Sequence, residues 1–173
     1  LEVLDPLTYH IRQIPPVGHV AAIFARVDYQ RGIHRAPADE PISGILGVAS
    51  HLTNEQYQNL AQRHINVIRD MMSARRGIVV WSALTLSKDV RWRYIQVRRL
   101  ANLVLRSIVI HTRWAMAETN TPELWQQLRE AIAEFLHRLW QQGRLQGNSP
   151  LRPGEFYYFQ IIHSAQGIRV IEI

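Results

Sequence analysis

Thr121-Pro122-Glu123-Leu124-Trp125-Gln126-Gln127-Leu128-Arg129-Glu130-Ala131-Ile132-Ala133-Glu134-Phe135-Leu136-His137-Arg138-Leu139-Trp140-Gln141-Gln142-Gly143 is the stretch that sets the fold. Thr121 stands where an N-cap belongs, because its hydroxyl can accept from an amide of the first turn. Pro122 suits the first helical position, where the amide it lacks would have no partner. Glu123 then lies at the positive end of the helix dipole. Leu124, Trp125, Leu128, Ala131, Ile132, Phe135, Leu136, Leu139 and Trp140 recur at helical spacing and define one apolar face. Gly143 ends the helix, since it enters the left-handed region without strain.

Upstream, Leu100, Leu103, Val104, Ile108 and His111 predict a second long helix over Val97 to His111. Trp114 to Glu118, between the two helices, is expected as a short strand. Ile65 to Arg69 and Ile78 to Leu84 are β-branched runs separated by Ser73-Ala74-Arg75-Arg76-Gly77, a pattern for paired strands. Thr53 with Gln56 forms a capping-box signature for a brief helix, and Ile45 to Ser50 is expected as a short strand. Asp28 to Gly47 is broken by Gly32, Pro37, Pro41 and Gly44 and reads as an extended loop. Before it, Gly18 to Arg26 is densely apolar; Ala21, Ala22 and Ala25, with prolines ahead of them, favour helix there.

The two ends read differently. Residues 1–16 form an entering arm, with a short strand expected at Tyr9 to Gln13. Downstream, Phe156, Tyr157, Tyr158, Phe159, Ile161 and Ile162 make one apolar run. Ser164-Ala165-Gln166-Gly167 is a turn signature, and Ile168 to Ile173 alternates apolar with polar residues. The order of elements predicts an α+β fold: a small mixed β-sheet packed against two or three helices, with extended terminal arms.

Apolar residues make up 47% of the 173, enough for a packed core, so a disordered chain is excluded. The longest apolar stretch, Leu100 to Ile110, is interrupted by Asn102, Arg106 and Ser107, so no membrane insertion is expected. The chain opens on Leu1 rather than Met, which leads us to expect further sequence upstream. Twenty basic residues face fourteen acidic ones, and every basic residue but Lys88 is Arg. Arg's planar fork suits contacts with carboxylates and phosphates, so the bias points to interfaces with protein or nucleic acid.

Catalytic signatures are missing. The sequence contains no cysteine, which removes thiolate chemistry and disulfides. None of His10, His19, His34, His51, His64, His111, His137 and His163 lies three or four residues from another, so no helical metal pair forms. Phosphate-loop and nucleophile-elbow patterns do not occur. Asp39-Glu40 reads as solvated loop charge, and Glu130 and Glu134 as partners of Arg129 and Arg138 on an exposed helix face. Arg91-Trp92-Arg93-Tyr94 and Arg98-Arg99 interleave cations with aromatics, as a nucleic-acid surface would. With no recognised binding motif around them, the preferred reading packs Trp92 and Tyr94 inward between flanking arginines.

Six segments stand in unbroken order: Pro15-Pro16-Val17-Gly18-His19-Val20-Ala21-Ala22-Ile23-Phe24-Ala25-Arg26-Val27-Asp28, then Arg31 to Ile42, then His64-Ile65-Asn66-Val67-Ile68-Arg69. Gly77 to Leu86, Trp92-Arg93-Tyr94-Ile95-Gln96-Val97-Arg98-Arg99-Leu100 and Phe135 to Gly143 complete the set, and together the six resemble the phage tail sheath protein family. The resemblance spans about residues 15–147. Where family members carry a long region before the Pro-Pro element, here only Leu1 to Ile14 precede it, so the chain is expected to be either a fragment or a minimal subunit.

The resemblance implies an N-terminal arm over 1–14, a sheath C-terminal core domain over 15–147 and a strand-rich C-terminal arm over 148–173. It implies a structural subunit, not an enzyme, that needs no cofactor, catalytic residue or metal. Its partners would be copies of itself in rings and stacks, an inner tail tube protein, and baseplate and terminator proteins. Its place would be a virion tail or contractile particle, assembled in the host cytoplasm. Subunit contacts are expected at Tyr9, Ile11 and Gln13, at Arg98 and Arg99, and at Phe156, Tyr158, Gln160, Ile168, Val170 and Glu172. Unpaired apolar strands at the C-terminus would need a partner to avoid aggregation. An Arg-rich nucleic-acid-binding module is the alternative.

Overall fold

Ile78-Val79-Val80 forms β5, every residue of which is buried, because β-branched side chains pack well on both faces of a central strand. On one side it pairs with β4 (Ile68–Asp70), in the register Ile68 to Val80, Arg69 to Val79 and Asp70 to Ile78. On the other lies β3 (Glu40–Pro41), and both pairings are antiparallel. A computed structural model of the chain describes residues 1–71, 76–145, 159–164 and 167–172, the last two segments as backbone alone.

Two further antiparallel pairs flank this sheet in sequence. β1 (Glu2–Leu4) pairs with β2 (Ile11–Gln13), and β6 (Phe159–Ser164) with β7 (Gly167–Glu172). The helices are α1 (Val17–Arg31), α2 (Asn54–Gln62), α3 (Ile95–His111) and α4 (Pro122–Gln141). The α+β class therefore holds. The single mixed sheet does not: among the described residues the strands fall into three small antiparallel sheets. In β1–β2, β4–β5 and β6–β7 only a few residues of sequence separate the partners, and so short a connection reverses the chain, whereas parallel pairing needs a long crossover.

The chain divides into two units, Leu1–Leu100 and Ala101–Ile173, and α3 runs through the division. In the first unit, Ile23 and Val27 of α1 lie one turn apart and pack with Ile42, Ile78 and Val80. Leu1, Val20, Ile45, Val48 and Ile68 close over this core. In the second unit, Leu124 and Leu128 of α4 enclose Ala115.

Local signals placed the helices well. Thr53 and Gln56 complete the capping box, with Gln56 N donating to Thr53 Oγ1 at 3.3 Å and Thr53 N to Gln56 Oε1 at 2.8 Å. Thr121 caps α4 by accepting from Leu124 N at 3.3 Å, and Gly143 beyond its end has φ 66°. Leu103, His111 and Ala131, assigned to apolar faces, are exposed.

Three segments depart from expectation. Residues 28–47 are not all loop: α1 continues to Arg31, and Glu40-Pro41 joins the sheet as β3. Ile45 to Ser50 is not a strand but offers a single bridge, Glu2 to Gly47. A Cβ at Gly47 would stand 2.8 Å from Glu2 Oε2, so a bare glycine lets β1 approach. Trp114 to Glu118 lies in a 3-10 turn, Arg113–Ala117. Thr112 ends α3 by donating its hydroxyl to Ile108 O at 2.8 Å, and Ala115 N then donates to Thr112 O at 3.1 Å. The tight turn buries Ala115 and leaves Trp114 and Met116 exposed.

Candidate assembly surfaces

The N-terminal surface is a hairpin organised by one carboxylate. Asp5 Oδ1 accepts from Leu7 N at 2.9 Å, and Oδ2 accepts from Arg12 at 3.1 Å. These bonds, the Leu7 amide first and Arg12 next, hold the Asp5 carboxyl below the ordinary aspartate range. The base of the hairpin closes where Leu1 N donates to Ile14 O at 2.9 Å and Ile14 N to Leu1 O at 2.8 Å. Beyond the turn, Tyr9 adopts φ 55° and is exposed, as are Leu4, Leu7 and Ile11. Gln13 donates to Glu2 Oε1 at 3.4 Å. Glu2 bonds to residues 46 and 47 on the far side of β1, so β2 is the open edge among the described residues.

The expected inter-subunit residues Arg98 and Arg99 have separate surroundings. Arg98 lies over the ring of Trp92 at 4.7 Å. Arg99 donates to both carboxylate oxygens of Asp28 and stacks on Phe24 at 5.1 Å. Trp92 is half-buried, but Tyr94 is exposed, against the expectation that both pack inward. Its backbone bridges Leu84, and that pairing fixes the side chain outward. Arg91 folds back onto Asp89, with Nη2 to Oδ2 at 2.8 Å.

Of Asp39-Glu40, expected as solvated loop charge, Asp39 is exposed in the loop but Glu40 is buried in β3. Glu40 is 9% exposed and bonds to two cations, Arg26 at 3.2 Å and Arg31. Arg26 also donates to Pro41 O at 2.8 Å, so α1 grips β3 by charge and by backbone. Asp39, with φ 59°, pairs with Arg76. Sequence spacing alone did not bring Arg26 and Arg31 to Glu40. On α4, Glu134 meets Arg138 at 3.8 Å, while Glu130 accepts from Gln126 at 2.9 Å.

At the C-terminus, Gln160 pairs with Ile171, Ile168 with His163, Val170 with Ile161, and Glu172 with Phe159. Strands are present in both expected stretches, at Phe159–Ser164 and Gly167–Glu172, and they pair antiparallel. Phe156 and Tyr158 lie outside the described residues. Among those described, no group of three or more His, Asp or Glu could hold a metal ion, and no helix is long and apolar enough to cross a membrane.

Comparison with known proteins agrees with this arrangement. Residues 3–86 match the family model for the phage tail sheath protein central domain, and residues 87–161 match that for the phage tail sheath C-terminal domain. A prophage major tail sheath protein of Pseudomonas aeruginosa is 25% identical over 150 residues, covering 83% of this chain and 38% of its own length. Among solved structures, the helical sheath of the anti-feeding prophage in its contracted state is 34% identical, with TM-score 0.80 over 99% of this chain and 49% of that one. The sheath complex of the PVC extracellular contractile injection system, also contracted, is 34% identical, with TM-score 0.79 over the same shares. A chain of the anti-feeding prophage baseplate is 35% identical, with TM-score 0.77 over 91% of this chain and 46% of that one. The chain thus spans about half the length of the solved chains and less of the curated relative.

Proposed function

This chain belongs to the phage tail sheath protein family, and from that premise we propose that it is a structural subunit of a contractile tail or injection-system sheath. It assembles with copies of itself into stacked rings around an inner tube, and contraction of the stack drives the tube into a target envelope. The observation that carries this reading is the likeness of nearly the whole chain to subunits of contracted sheaths. The work comes from repacking discrete interfaces between subunits, so no bond-making chemistry, catalytic residue or cofactor is proposed.

Residues 15–147 form the core of the subunit on this reading, and residues 1–14 and 148–173 are arms that reach neighbours. Tyr9, Ile11 and Gln13 line an open strand edge with exposed apolar side chains, the type of edge that recruits a strand from another chain. The β6–β7 hairpin, with Gln160, Ile168, Val170 and Glu172, and the preceding Phe156 and Tyr158 are proposed as a second contact. Arg98 faces outward from α3 and joins them, while Arg99 supports the contact from within through Asp28. The particle is assembled in the host cytoplasm, and baseplate and terminator proteins bound the stack.

The nucleic-acid reading has less support, because Asp89 and Asp28 already engage Arg91 and Arg99. Negative-stain electron microscopy of the concentrated protein tests the proposal, with rings or tubes as the expected result. A monodisperse monomer at every concentration, with salt-sensitive retention of DNA or RNA in a gel shift, would replace it with the nucleic-acid module.

A further inference from the structure

The segment from Trp81 to Ile95 is a loop whose shape is fixed by side chains. Asn66 Nδ2 donates to Leu84 O at 2.8 Å, and its Oδ1 accepts from Leu84 N at 2.7 Å and Ser82 Oγ at 3.1 Å. Thr85 Oγ1 donates to Trp92 O across the loop and accepts from Ser87 N at 3.2 Å. Ser87 Oγ accepts from Asp89 N at 3.1 Å, and Asp89 in turn accepts from Arg91 N at 3.0 Å. Thr85 N to Arg93 O at 2.9 Å and Ile95 N to Ala83 O at 3.1 Å close the base.

This pinned frame displays apolar groups to solvent. Leu86 is 82% exposed and Val90 77%, with Tyr94 exposed beside the base. Lys88 and Arg93 are exposed too and have no carboxylate partner among the described residues. Arg91 is neutralised by Asp89, so the loop carries two uncompensated positive charges around an apolar centre. Side chains held in place before binding lose little entropy when a partner covers them.

A surface of opposite sign lies elsewhere in the same chain. Trp114 and Met116 are exposed on the 3-10 turn, whose other neighbour is β7 of the same chain, and Glu118 and Glu123 follow with no cationic partner among the described residues. Arg113, also exposed, opens this turn, and no other Lys or Arg occurs up to Glu123, so the turn carries one net negative charge. The Glu123 carboxyl is held below the ordinary glutamate range by its own backbone amide and the Thr121 hydroxyl, so it stays charged at neutral pH.

We propose that these two surfaces meet between successive copies of the chain, with Leu86 and Val90 of one copy against Trp114 and Met116 of the next, and Lys88 and Arg93 facing Glu118 and Glu123. The inference rests on the reading of the chain as a self-assembling subunit and names a contact for it. Two basic loops repel each other, as do two acidic turns, so the basic loop of one copy is matched to the acidic turn of another and not to its own counterpart.

The absence of native cysteine makes the test clean. Full-length Lys88→Cys and Glu118→Cys variants are oxidised separately and as a mixture, and the mixture is expected to form the mixed disulfide dimer far in excess of either variant alone. Lys88→Glu alone and Glu118→Lys alone are expected to weaken self-association about fivefold, the scale of an exposed ion pair, and the double variant to restore it. Wild-type assemblies on grids without excess mixed disulfide, or with equal 88–88 product, would overturn this contact and leave the sheath reading standing. So would a double variant no better than the singles. A wild-type chain that stays monomeric removes both.

Discussion

Arg99 holds Asp28 with both arms of its guanidinium, although 71 residues separate them in sequence. Nη1 donates to Oδ1 at 2.9 Å and Nη2 to Oδ2, and the plane of the same group stacks on Phe24. The start of α3 is thereby tied to the last turns of α1. The two side chains are only 27% and 31% exposed, so losing either partner strands a charge that has given up much of its water. Lysine would keep the charge but not the fork or the stacking. Arg99→Lys and Asp28→Asn are each expected to destabilise by about 1 kcal/mol in urea unfolding, and Arg99→Ala by about 2 kcal/mol. The Asp28→Asn/Arg99→Lys double variant should cost less than the sum of the singles; strict additivity would show that the pair does not act as a unit.

Glu40 joins α1 to β3 by a different route. One buried carboxylate receives two arginines from the same helix, and one of these, Arg26, also bonds to the neighbouring carbonyl of Pro41. Glu40→Gln keeps the shape and loses the charge, leaving two cations facing a neutral amide. Because both arginines are partly solvated, the expected loss is about 2 kcal/mol, below the full penalty of breaking a buried pair. Glu40→Asp shortens the reach and should lie between that variant and wild type. A melting temperature unchanged in Glu40→Gln would mean that solvent already screens the cluster.

What could be read beforehand was what depends on local pattern. The caps at Thr53 and Thr121, the apolar faces of α3 and α4 and the paired strands around Ile68 and Ile78 each follow from residues within a few positions of one another. What escaped was decided at long range. Glu40 is buried because two arginines of α1 reach it, which no window around Pro37 and Pro41 contains. Ile45 to Ser50 has the composition of a strand, but Gly47 meets only Glu2. Trp114 and Met116 alternate as strand residues do, yet Thr112 turns the chain before any partner strand is reached. Of the expected contact residues, Tyr9 and Ile11 are exposed on one hairpin, whereas Arg99 is committed to the chain's own fold. A guanidinium's destination depends on where the nearest carboxylate folds, and spacing does not carry that.

Asp5 gives the N-terminal hairpin a pH dependence of definite sign. Its carboxyl is depressed by the Leu7 amide and by Arg12. A group with a lower pKa in the folded state contributes stability above its unfolded value and loses it as pH falls through the folded value. The hairpin should therefore be intact at neutral pH and loosen below the ordinary aspartate range, before the core melts. Amide signals of Leu7 and Tyr9, followed by NMR from neutral pH into acid, should move towards random-coil positions in that window. In Asp5→Asn the same signals should be shifted already at neutral pH, with little further change in acid. A wild-type hairpin that stays unchanged through the whole acid range would show that its backbone ladder suffices without the carboxylate.

Gly32 ends α1 in a conformation that a side chain would resist twice over. Its φ is 89°, in the region L residues rarely enter, and a Cβ there would stand 2.9 Å from His34 Nδ1. The Gly32 amide also donates to Val27 O and Asp28 O, both at 3.1 Å, so the chain cannot swing away without undoing the end of the helix that carries Asp28 and Arg31. Gly32→Ala is expected to lower stability by about 1–2 kcal/mol, from the backbone conformation together with the crowding. The two contributions separate in the Gly32→Ala/His34→Ala double variant, measured against His34→Ala alone. Removing the ring relieves only the contact, so part of the loss should remain. If the whole loss vanished with the ring, steric contact with His34 and not the left-handed turn would be what demands glycine at this position.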